Sequence, residues 1–137
     1  MFTELVEEVQ LLDDGALDAR LRRLEVDARR LEAERAAALA EREHRSSGRP
    51  DGFRSTVAWA RGVLFWSNAE CRSRMQLVRL IEAFPEVGEA LLDGSIPVAN
   101  ADAIARGWAN PRVRERFGEF IGEFLNQAER REHDDFK

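Results

Sequence analysis

The side chains best suited to chemistry in this chain are polar and basic residues set at helical spacing: Asn68, Arg72, Gln76 and Arg79. Advancing about 100° per residue, they gather on one stripe of a helix, while Cys71, Met75, Leu77, Val78 and Ile81 form a separate apolar arc. An outward stripe of this composition suits the DNA major groove. There, arginine grips guanine O6 and N7 in bidentate fashion, and glutamine reads adenine N6 and N7. Arg54, Arg61 and Asn68 are candidate phosphate contacts near the same end. A solvated helix face that binds nothing would carry the same residues. Arg74, close to the apolar arc, is placed to pair with Glu70 one turn earlier.

Catalysis finds no comparable constellation. The two histidines are His44, at the end of a long helix where a cation suits the dipole, and His133, in a charged tail. There is no glycine-rich phosphate loop, no His-Glu-x-x-His pair, and no serine or cysteine nucleophile with a histidine beside it in sequence. Adjacent acids such as Glu7-Glu8, Asp13-Asp14 and Asp134-Asp135 read as solvated. Cys71 stands alone, so it forms no intramolecular disulfide, and one thiol does not make a zinc site. The expectation is a binding module, not an enzyme, with no cofactor and no metal.

These side chains must be positioned by helices. From Ala16 to about Arg45 there is neither Gly nor Pro, and Leu17, Leu21, Leu24 and Leu31 recur at the four-three spacing of a long amphipathic helix. A shorter helix around Thr3 to Leu12 precedes it, and the run Ser46-Ser47-Gly48-Arg49-Pro50-Asp51-Gly52 ends it. Ser55 is a credible N-cap for a helix holding Val57, Trp59, Ala60 and Val63, and Ser67 or Asn68 for one running to Ala83. Pro85 suits the first turn of the next helix, which stops at Asp93-Gly94, and another spans Val98 to Trp108. Beyond Asn110-Pro111, the residues Val113, Phe117, Phe120, Ile121, Phe124, Leu125 and Ala128 share one helical face. No segment alternates with period two, so no sheet is expected.

The fold class is therefore all-α: a long N-terminal helix with a compact multi-helix cluster containing a helix-turn-helix. Residues 1–49 form a helical arm, 50–131 a helical core with the helix-turn-helix at about 55–84, and 132–137 a charged tail. Trp59, Val63, Met75, Val78, Leu91, Ile96 and Ile104 should be buried together. The leucine seam of Leu17, Leu21, Leu24 and Leu31 either joins two copies of the chain or folds back over Phe117, Phe120 and Phe124.

Composition is consistent with this reading. The 137 residues suit one domain, and 44% hydrophobic with 34% charged residues indicates a globular chain with a well-solvated surface. No apolar run is long enough to cross a bilayer, and the N-terminus is acidic where a signal peptide would be basic, so a cytoplasmic chain with no membrane contact is expected. The net charge of −5 is unusual for a nucleic-acid binder, but it is unevenly spread. Residues 54–81 carry five arginines against the single acid Glu70, a local +4 between acidic stretches.

The run Gly52-Phe53-Arg54-Ser55, then Trp59, then Ser67, Asn68, Ala69, Glu70, Arg72, Arg74, Leu77 and Val78 resembles an actinobacterial family. That family is the domain of unknown function 222, usually found upstream of an HNH endonuclease domain. The stretch Phe84 to Ile96, followed by Ala101, Ala103, Ile104 and Ala105, continues the resemblance, which covers about residues 17–108. The order is also similar to the helix-turn-helix of ParB-type partition proteins. The resemblance implies duplex DNA as partner and an HNH nuclease, C-terminal or separate, as the associated activity. The HNH chemistry itself is missing here, as expected of an excised N-terminal fragment or of a short relative. The chain also departs from the family's Gly-x-Ser turn by carrying Phe65-Trp66-Ser67. Trp66 is then a core plug, a partner-docking residue or a stacking platform for a base. The alternative function is a protein-interaction or dimerisation module, using the leucine seam and Trp66, with no nucleic-acid contact. A third is an antagonist that engages a nuclease through the acidic ends.

Overall fold

Helix boundaries follow from caps that can be read residue by residue. In the computed structural model, which describes residues 1–45, 55–111, 121–123 and 125–126, α1 (Phe2–Gln10) is followed by α2 (Asp14–Arg45). The Asp13 carboxylate accepts the Ala16 N–H at 2.8 Å, so α2 starts slightly before the expected Ala16 and carries Gly15 in its first turn. Ser55 caps α3 (Thr56–Val63) by accepting the Ala58 N–H at 3.1 Å, and Ser67 caps α4 (Asn68–Ala83) by accepting the Glu70 N–H at 3.0 Å. Pro85 opens α5 (Pro85–Leu92), and α6 (Val98–Trp108) follows a turn in which Gly94 takes φ +82°. Residues 121–123 and 125–126 are helical too, and the described residues contain no strand. The chain is all-α, with the long N-terminal helix and the helical cluster expected. None of its described helices is long and apolar enough to cross a membrane.

α4 lies at the centre, packed against α2, α3, α5 and α6, while α2 runs across α4 and α5. The main core joins Leu77, Leu80, Val87, Leu91, Ile96, Ala101 and Ala105 with Ile121. A smaller cluster joins Ala36, Leu39 and Val78, with Trp66 and Met75 against it. Of the expected core, Val78, Leu91 and Ile96 are fully buried, and Met75 and Ile104 partly so. Trp59 is half-buried beneath the Arg42 guanidinium, 4.4 Å from its ring centre, and Val63 is 45% exposed at the end of α3. Leu80, which the pattern did not single out, is completely buried.

The buried face of α2 is not the leucine seam. Leu21, Leu24 and Leu31 are exposed and Leu17 is half-buried, whereas Ala33, Ala36, Leu39 and Ala40 meet the cluster. Alanines allow the helix axes to approach closely, and arginines fasten the joint. Arg29 donates to the Gly94 carbonyl at 2.8 Å and Arg30 to the Leu92 carbonyl at 3.3 Å, satisfying oxygens that the end of α5 leaves open. The loop from Ser46 to Gly52, Arg54, the phenylalanines 117, 120 and 124, His133 and the 132–137 tail lie outside the described residues.

Because Leu80 is sealed on all sides and Val63 is not, Leu80→Ala should cost about 2–5 kcal/mol in chemical denaturation. Val63→Ala should stay within about 1 kcal/mol, and equal costs would contradict this packing.

Candidate nucleic-acid interface on helix α4

With Leu77, Leu80 and Val78 drawn inward, the opposite side of α4 must carry the polar stripe. Asn68 and Arg72 are exposed and Gln76 is half-buried. Arg61 is exposed on α3, and among the described residues neither Arg61 nor Arg72 has a carboxylate partner. The N-terminal half of the stripe is thus open, polar and positive.

The C-terminal half is built differently. Arg72, Gln76, Arg79, Met75, Glu82 and Ala83 form one wall of a groove of about 680 Å³, and Trp108 and Ala109 at the end of α6 form the other. The Trp108 ring is braced edge-on against Phe84, with centroids 5.0 Å apart. Arg79 reaches across to α2 and donates to both Glu43 oxygens, at 2.6 and 3.0 Å. That hydrogen bonding holds the Glu43 carboxyl below the usual range and raises the Arg79 guanidinium. The sequence reading placed Arg79 on an open DNA-facing stripe. In the folded chain it braces α4 against α2, and its charge is balanced by a carboxylate 36 residues away.

Arg74 pairs with Glu70, as its spacing predicts, and with a second carboxylate besides. Its main partner is Glu32 on α2, at 2.5 Å, while the expected Glu70 is 3.8 Å away. Glu32 is buried and is shared with Arg35, whose guanidinium lies 5.8 Å from the centre of the Trp66 ring. Asp102 of α6 stands in the field of this cluster. Its carboxyl is pushed above its ordinary value first by burial and further by the negative Glu32. The positive Arg74, Arg106 and Arg35 oppose that rise.

Trp66 packs against Ala36, Leu39 and Val78, which among its three readings is that of core plug. Phe65 beside it is 87% exposed, with φ at +59°. Sequence reasoning missed Glu32, Glu43, Trp108 and the exposure of Phe65. Only the last had a visible signal, a bulky residue at a turn where glycine is easier to accommodate. Among the described residues no three of His, Cys, Asp and Glu converge as a metal site would require. Compared with known proteins, the chain matches no family model, no curated protein and no solved structure.

The raised Asp102 carboxyl has a stability consequence. A folded-state value above the unfolded one means that the native state binds the proton more tightly, so this group opposes folding at neutral pH and that penalty fades as pH falls through the folded value. Asp102→Asn should therefore raise stability at pH 7, and its advantage over the parent chain should shrink on acidification toward pH 4. Urea midpoints across that range check this, and an advantage that grows in acid would contradict it.

Proposed function

We propose that this chain is a DNA-binding module that presents the N-terminal half of α4 to the major groove. The observation carrying this reading is that Asn68 and Arg72 on α4 and Arg61 on α3 are exposed, that neither arginine has a carboxylate partner among the described residues, and that Asn68 stands at the positive end of its helix. Arg72 and Gln76 supply base-edge hydrogen bonds, Asn68 and Arg61 contact phosphates, and Arg54 extends the phosphate set. Arg79 contributes mainly by holding α4 to α2. The acidic total charge does not oppose this, because screening over about 8–10 Å leaves the local sign of the surface to govern contact. The resemblance to the domain of unknown function 222 family supports the reading and suggests that the module delivers or assists an HNH nuclease carried C-terminally or by another chain.

Duplex DNA should bind at low salt with log affinity falling linearly in log salt concentration. Arg61→Ala should flatten that slope by about 0.9, as one phosphate contact is lost, whereas Arg72→Ala should weaken binding and relax base preference at a cost of about 1–3 kcal/mol. Arg79→Ala should change the slope less than Arg61→Ala. Absence of duplex binding at low salt, or a slope indifferent to Arg61 together with an affinity indifferent to Arg72, would overturn the assignment.

A second reading, self-association through α2, is favoured by Leu21, Leu24 and Leu31, which lie exposed at heptad spacing on a helix whose other face is already used. Light scattering over a hundredfold range of concentration should show a dimer, which Leu24→Glu with Leu31→Glu should abolish while leaving the unfolding midpoint of the monomer nearly unchanged. A constant monomeric mass would remove this reading.

A further inference from the structure

Phe65 lies in the turn between α3 and α4 with φ at +59°, in the left-handed region that residues bearing a bulky side chain rarely adopt. Its side chain recovers little of that strain through packing, since the residue is 87% exposed. The backbone around it is clamped. The N–H groups of Leu64 and Trp66 both donate to the Ala60 carbonyl, at 2.9 and 3.3 Å, and the Trp66 ring is seated against Ala36, Leu39 and Val78. The clamp on both neighbours turns Phe65 outward, with Leu64 beside it 41% exposed. Glycine would follow the same path without strain. An aromatic held there at a cost to the fold is arranged for contact.

Its neighbours indicate what it contacts. Ser67 caps α4 two residues on, Asn68 begins that helix, and among the described residues Arg61, four positions before Phe65, and Arg72, in the second turn of α4, have no carboxylate partner. An apolar tip in the turn between the two helices that carry Arg61 and Arg72 fits a partner that is anionic yet offers an apolar feature of its own. Duplex DNA has one in the major groove, the thymine C5-methyl group. Side chains that wedge between base steps act from the minor groove, which is not where α4 lies in the DNA reading. We propose that Phe65 packs on thymine methyl groups in the major groove next to the N-terminal end of α4, an inference that rests on the DNA reading above.

The full chain would be titrated at low salt with an AT-rich duplex of about two helical turns and with the same duplex carrying deoxyuridine in place of every thymidine. The replacement removes the methyl group and keeps charge and pairing. The parent chain should bind the thymidine duplex about fourfold more tightly per contacted methyl. Phe65→Ala should bind both duplexes equally, with its salt dependence unchanged. Phe65→Gly should lose the same discrimination while its thermal midpoint rises by a few degrees, because glycine adopts the left-handed turn freely. Binding indifferent to the methyl group, discrimination that survives Phe65→Ala, or a lowered midpoint in Phe65→Gly would overturn the proposal while leaving DNA binding in place. Indifference coupled to a self-association that Phe65→Ala abolishes would assign the residue to a protein interface instead. Failure to bind either duplex would overturn the DNA reading and this proposal together.

Discussion

Glu32 is a carboxylate with only a tenth of its side chain exposed, placed where the long helix crosses the helix that carries the polar stripe. Removing a carboxylate from water costs several kcal/mol unless donors replace the lost hydration, and Arg35 and Arg74 supply them from two different helices. Such a pair adds less to stability than to register. It is satisfied in one arrangement of α2 on α4 and fails in others, leaving a buried charge exposed to the full desolvation cost. Even here the fit is incomplete, since the Nε atoms of Arg35 and Arg74 are buried without a hydrogen-bond partner. Fixing Arg74 inward also fixes the rotation of α4. Arg72 and Gln76 lie two residues to either side, roughly 200° round the helix, and must therefore face away. The open stripe follows from an ion pair that takes no part in any contact there.

The arginines divide into two populations by what lies around them. Arg29 and Arg30 close the end of α5, Arg74 joins Glu32, and Arg79 joins Glu43, so that α2 is strapped across its neighbours by charge as much as by apolar contact. Among the described residues, Arg61 and Arg72 are left without such partners. The +4 counted along residues 54–81 thus overstates the field that a ligand would meet, because two of its five arginines are balanced within the fold. A smaller but localised charge remains at the N-terminal end of α4, where the helix dipole has the same sign.

What could be read in the sequence was local. Ser55, Ser67, Pro85 and Gly94 act on the turns that contain them, so the ends of α3, α4 and α5 were legible from single residues. The orientation of α2 was not. Leucines at heptad spacing make the stronger hydrophobic pattern, yet the face that packs is lined by Ala33, Ala36 and Ala40 with one leucine and the three charged residues Arg29, Glu32 and Arg42, a stripe that no hydropathy pattern ranks first. The pairs that set the geometry, Glu32 with Arg74 and Glu43 with Arg79, are 42 and 36 residues apart, and nothing local to either partner marks them. Of the two carboxylates that Arg74 pairs with, Glu70 was legible and Glu32 was not, because helical spacing is visible in sequence and a helix crossing is not.

The two faces of α2 also explain how one small chain can hold two surfaces without conflict. The seam of Leu21, Leu24 and Leu31 is offset by roughly a quarter-turn or more from the Ala33, Ala36 and Ala40 stripe. A second copy could dock on the leucines without drawing α2 away from α4. Neither Glu32 nor Glu43 would have to release its arginine, and the rotation that keeps Arg72 outward would persist. The proposed self-association and the proposed DNA contact would therefore be physically independent in this architecture. Dimerisation, where it occurs, would act on DNA affinity through the number of α4 helices presented together, and not through a change in any one of them.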